Sequence, residues 1–144
     1  MSDHVAVTVA EAVKDALNGH TFTESFTTTR TQLPEFQLKD MGTLHVTVVP
    51  RSDAAELLDR RNDIHVVAVD VAIQQRLETV DNDTLDALLA LVQEIADFLN
   101  RRAMGDAIWT QTQNDPVYAP DHLRELRQFT SILRITYRVK RTPS

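Results

Sequence analysis

The side chains able to ligate, attack or move protons are of few kinds: five histidines, 21 acidic residues and a scatter of hydroxyls, with no cysteine in 144 residues. Without thiols, disulfides, thiolate metal sites and cysteine nucleophiles are excluded. His45 and His65 with Asp63 form the best candidate metal set, two imidazoles and a carboxylate on segments that could pair as strands. No His-x-His or His-x3-His spacing backs it, and His45 faces away from the stripe of Leu44, Val46 and Val48, so no metal is expected. Asp81, Asp83 and Asp86 look superficially like a calcium loop, but no glycine follows at the sharp turn and no glutamate closes it; helix capping accounts for them better. Ser25, Ser52 and Ser131 lack a nucleophile-elbow context. The three glycines, Gly19, Gly42 and Gly105, stand singly, so no phosphate-cradling loop or dinucleotide fingerprint can be built and no cofactor is expected. Nothing in the spacing marks a carboxylate pair for acid–base work.

Charge is unevenly placed. Residues 121–144 hold Arg124, Arg127, Arg134, Arg138, Lys140 and Arg141 against Asp121 and Glu125, a local +4; the formal net charge of −6 leaves −10 on the rest of the chain. Such a split suits self-complementary or partner-directed surfaces better than nucleic-acid wrapping, and a solvated basic strand edge explains it equally well. Nucleic acid would engage Arg134, Arg138, Lys140 and Arg141 together with Arg60 and Arg61, yet aromatics are only 6% of the chain, too few for a stacking platform. Phe129 and Tyr137 fall on an apolar strand face, where core packing is their expected role. Trp109, followed by four polar residues, reads as a core plug or an interface anchor, with the core favoured.

The frame for these residues is one domain over residues 1–144, long enough to bury about two-thirds of its unfolded surface. No apolar run approaches the roughly 20 residues of a membrane span, and the N-terminus lacks signal-peptide features, so a reducing, cytoplasm-like site of synthesis and no membrane partner are expected. Apolar periodicity predicts a helix over 3–18 with a left-handed stop at Asn18-Gly19. A long strand over 21–31 follows, with Phe22 and Phe26 on one face, then Pro34, a short stretch over 36–39 and a turn at 40–42. A strand over 44–50 is ended by Pro50, and residues 51–63 form a polar excursion, read as a loop or loosely held short helix. A strand over 64–77 carries Val67, Val69, Val71 and Ile73 on one face. The capping-rich Asp81-Asn82-Asp83-Thr84 leads into a long central helix over 85–99. A possible strand over 108–112, a proline-started helical turn over 120–126 and a clean alternating strand over 129–140 complete the chain. The fold class is α+β: a mostly antiparallel or mixed sheet, with the N-terminal and long central helices packed on one face.

The arrangement resembles the tail terminator and tail-completion proteins of long-tailed bacteriophages. The resemblance is carried by the helix Val9-Ala10-Glu11-Ala12-Val13-Lys14-Asp15-Ala16-Leu17-Asn18, the strand Leu44-His45-Val46-Thr47-Val48-Val49-Pro50 and the polar excursion before Ile64-His65-Val66-Val67-Ala68-Val69-Asp70-Val71. The helix over 85–99, Asp115-Pro116-Val117-Tyr118 and the strand over 129–138 extend it across nearly the whole chain. It implies a non-enzymatic virion subunit, made in the host cytoplasm and resident in the tail or neck. Such subunits form a homo-oligomeric ring, a hexamer, on the head-proximal end of the tail tube. The ring ends polymerisation and offers a docking face to the head–tail connector or stopper protein. DNA passes through the lumen without specific binding, and acidic walls would let it slide. Under this reading Arg51, Asp53, Glu56, Asp59, Arg60 and Arg61 in the excursion, with Arg134, Arg138 and Lys140, form subunit or tail contacts. The alternatives are another neck or head-completion protein, a stopper or adaptor, or a small cytoplasmic enzyme whose acid–base groups converge only in three dimensions.

Overall fold

A computed structural model describes residues 4–31, 44–115 and 117–141. Its elements run α1 (Val5–Asn18), β1 (Thr28–Arg30), β2 (His45–Leu57), β3 (Asp63–Arg76), α2 (Asn82–Leu99), β4 (Ile108–Asn114), α3 (Pro120–Leu126) and β5 (Gln128–Arg141). The five strands form one sheet in the order β1-β2-β3-β5-β4. β1 lies parallel to β2, and every other pairing is antiparallel, so the α+β protein has a mixed sheet.

Alternation along the strands decides the core. Val67, Val69, Val71 and Ile73 of β3 meet Leu133, Ile135 and Tyr137 of β5 and Val46 and Val48 of β2 on one face, each 0 or 1% exposed. The apolar stripes of α1 (Val5, Val9, Val13, Leu17) and α2 (Leu88, Leu91, Val92, Ile95, Leu99) join the same cluster, so both helices cover that face. α3 closes the far end of β5, where His122 Nδ1 lies 3.1 Å from Thr130 Oγ1. The other face of the sheet carries Asp70, Arg134, Thr136, Arg138 and Lys140.

Several expectations are corrected. α1 begins after His4, whose Nδ1 accepts from the Ala6 amide, and Gly19 at its end is right-handed (φ −84°). The long strand over 21–31 shrinks to three residues. Asn18 pins both Thr28 N and Thr28 O with its amide, the Glu94 carboxylate accepts from Thr23 N, and Phe22 and Phe26 stack beside Phe98. Tertiary contacts there override β propensity. The stretch over 36–39, Pro34 and the turn at 40–42 lie outside the described residues.

The long central helix is instead of ordinary length. The helices have 14, 18 and 7 residues, and α2, about 27 Å long, falls short of the roughly 46 Å of β3. Asp81 caps its start, accepting from Thr84 N at 2.8 Å; Asn100 turns extended (ψ 131°) and Arg101 left-handed (φ 64°).

The polar excursion is the largest correction. Residues 51–57 continue β2, and 52–57 pair with 63–68 of β3, so the segment is the outer half of a long hairpin. Pro50 does not end the strand. Thr31 N donates to Val48 O, so the backbone of Val48 faces the outer edge; Pro50, two residues on, also faces outward and its missing N–H costs no ladder bond. A bulge between Pro50 and Ser52 then resets the alternation. The turn closes when Leu58 N and Asp59 N donate to Asn62 O.

Candidate functional site

The nine residues expected to make contacts fall into three groups around this hairpin. The first lies on the sheet face away from α1 and α2. Asp70 stands opposite Val49 on β2 and Arg134 on β5, and its carboxylate is bracketed by Arg134 Nε at 3.2 Å and Arg51 Nη1 at 3.1 Å. Arg51 reaches it because the bulge inserts one residue at that point. Arg138 and Lys140 continue along the same face, both exposed, with Ile108 beside Arg138 and Ile64 between Lys140 and Glu56.

The second group lies on the opposite face of the hairpin. Asp53 Oδ1 sits 2.8 Å from His65 Nδ1, and Asp53 Oδ2 lies 3.9 Å from His4 Nε2. Because His4 Nδ1 accepts the Ala6 amide, its proton in the neutral ring belongs on Nε2, toward Asp53. The carboxylate thus orients two imidazoles at the junction of α1 and β2. Beside them is an open cleft of about 500 Å³ lined by His4, Ala6, Val7, Pro50, Arg51, Ser52 and Asp53. A carboxylate at Nδ1 fixes the neutral His65 tautomer with its acceptor on Nε2, the arrangement that acid–base sites use.

The third group is the hairpin tip. Asp59 is taken up locally: one oxygen accepts the Arg61 and Asn62 amides at 2.8 and 2.9 Å, and the Asn62 side chain donates to both oxygens. These bonds, the Arg61 amide foremost, hold its carboxyl below the usual aspartate range. Arg60 and Arg61 are exposed and make no ion pair among the described residues, and Leu57 and Leu58 beside them are 82% and 48% exposed.

The candidate trio His45, His65 and Asp63 does not come together. His45 is opposite Gln74 and His65 opposite Ala55, nine residues and about 30 Å apart along β3, while Asp63 pairs with Leu57 and Arg141. Among the described residues no group of three His, Asp or Glu side chains could hold a metal ion. Asp81 caps α2, as its spacing implied. The Asp53–His65 contact has no signature in the local sequence, because a bulged register brings the two together. Trp109 packs against the core edge while its indole N–H donates to Thr112 Oγ1 at 2.7 Å, and that hydroxyl donates to Asn100 Oδ1 at 2.6 Å.

Charge segregates by layer. α2 carries Asp83, Asp86, Glu94 and Asp97 and no basic residue, whereas β5 places Arg134, Arg138 and Lys140 on the opposite side of the molecule. Among the described residues no helix is long and apolar enough to cross a membrane. In comparisons with known proteins, no family model and no curated protein matches this chain.

Proposed function

We propose that the protein is a structural subunit of a long-tailed bacteriophage virion: a tail terminator that forms a ring, a hexamer, on the head-proximal end of the tail tube, ends polymerisation and presents the surface to which the head–tail connector docks. The observation that supports this most is the hairpin arm. Residues 51–61 are exposed throughout, and the arm ends in two uncovered leucines flanked by Arg60 and Arg61. An exposed apolar tip rimmed by charge is the composition of a contact surface, with leucine supplying burial and arginine the geometric selectivity. Segregated charge on one subunit further suits head-to-tail contacts, which join unlike surfaces. DNA is then a passenger of the lumen.

The experiment is mass photometry and negative-stain imaging of the purified chain, alone and with tail tubes of the same virus. A ring of six times the 16.3 kDa monomer and tubes closed at one end are expected. Tubes that keep growing with bare ends would refute the reading; a ring that binds the connector but leaves tubes bare would assign the protein to the head side, as a stopper or adaptor. Reversing both tip charges, Arg60→Glu with Arg61→Glu, should weaken ring or tube association at least about tenfold, the equivalent of ~1.4 kcal/mol. The thermal midpoint should stay unchanged, because exposed substitutions of this kind shift stability by no more than about 0.5 kcal/mol.

One geometric feature favours a second reading. The Asp53–His65 pair beside its cleft could serve a small acid–base enzyme. Loss of an activity in His65→Gln, with assembly intact, would support that reading over the structural one.

A further inference from the structure

The half of the sheet face around Arg138 is uncovered among the described residues. Along its far end Ala72, Gln74 and Thr130 are buried, but toward the arm Arg138, Lys140, Gln111 and Ser52 are exposed, and Ile108 is 65% exposed beside Arg138. Four cations, Arg51, Arg134, Arg138 and Lys140, share this face with two carboxylates, Asp70 and Glu56, leaving a net positive surface.

On the far side of the molecule, α2 turns a single stripe outward. Asp83, Asp86, Ala90, Gln93 and Asp97 recur at three- and four-residue steps, all exposed and directly opposite its buried Leu88, Val92, Ile95 and Leu99. The stripe from Asp83 to Asp97 covers about 21 Å at the helical rise. The cations from Arg134 to Lys140 cover about 20 Å along β5. Two ridges of equal length and opposite charge thus face in opposite directions. The small Ala87 and Ala90 would allow close approach to Ile108.

We infer that the open sheet face of one copy is the docking surface for the α2 stripe of a second copy, with Arg134, Arg138 and Lys140 set against Asp83, Asp86 and Asp97. Because the two surfaces lie on opposite sides of a helix-on-sheet subunit, the contact is heterologous and repeats head to tail, closing into a ring when successive rotations sum to a full turn. The inference names the faces of the ring proposed above and in that respect rests on it, but it concerns self-association alone.

The test uses the full chain by sedimentation and mass photometry at low ionic strength. The wild type should assemble, and should come apart as salt rises to about 0.5 M, where the Debye length falls well below 10 Å. The sheet variant Arg138→Glu/Lys140→Glu and the helix variant Asp86→Lys/Asp97→Lys should each stay monomeric with unchanged circular dichroism. An equimolar mixture of the two should assemble, as should the chain carrying all four changes, because each restores opposite charge across the contact. A monomeric wild type, a variant that assembles normally, or a mixture that fails to assemble would overturn the inference. So would binding of duplex DNA that the sheet variant loses while its self-association is unchanged. A chain that assembles through these faces yet leaves tail tubes uncapped would refute the terminator reading and leave this contact standing; tubes capped by the unmixed sheet variant would do the reverse.

Discussion

Among the described residues Tyr137 is the largest side chain with no exposed surface, and its hydroxyl has no hydrogen-bond partner there. Burial pushes the phenol well above its ordinary range, because the phenolate would lose its hydration. The resulting stability is therefore full below about pH 10, the unfolded value, and is lost as pH rises toward the folded one. Tyr137→Phe removes an unpaired polar group, so it should leave stability unchanged or raise it by up to about 1 kcal/mol. It should also flatten the alkaline limb of a thermal-midpoint profile; a loss of several degrees would contradict this. Ile135→Ala, at a position with no exposed surface, should by contrast cost about 2–5 kcal/mol in a denaturant titration. At the acid end, the Thr84 amide foremost holds the Asp81 carboxyl low. Its capping contribution is present above the unfolded aspartate range and lost as pH falls through the folded value. Asp81→Ala should lower the thermal midpoint at neutral pH and leave it less sensitive to acid.

At the scale of elements, the long hairpin is one continuous ladder with two environments. Its inner half lies under α1 and α2; its outer half, residues 52–57 against 63–68, is exposed on β2 while β5 flanks β3 out to Arg141. Central β3 between two partners should therefore exchange its amide hydrogens orders of magnitude more slowly over residues 67–73 than β2 does over 52–57, as hydrogen-exchange mass spectrometry would read. Similar protection in both halves would show the arm to be held by something besides its ladder. Pro50→Val should change the melting temperature little, since the proline replaces an N–H that faces the outer edge. These elements were legible in the sequence to different degrees. The alternating stripes of β3 and β5 and the capped α2 announce themselves because each buries one face on a regular period. Residues 51–57 do not, because a strand exposed on both faces has no hydrophobic alternation to show.

For the whole molecule, two layers give two unlike outer surfaces, and the chain's charge is divided between them. The helix layer presents an acidic stripe and the sheet layer a basic one, so self-association should weaken with salt far more than folding does. A denaturation midpoint that holds steady while the assembly dissociates would separate the two effects; joint loss would mean that the monomer depends on its neighbour for stability.

The sequence by itself determined what is local or compositional: the absence of thiol chemistry and phosphate loops, the core stripes of β3 and β5, the cap on α2, and the basic character of the last strand. These follow from residue type and short periodicities, which need no partner to be read. Only the tertiary structure decided that the segment over 51–57 is a strand, that His45 and His65 lie far apart while His65 meets Asp53, and that Arg51 and Arg134 share Asp70. Each depends on strand order, register and a single bulge, long-range quantities set by how the whole sheet packs beneath its helices.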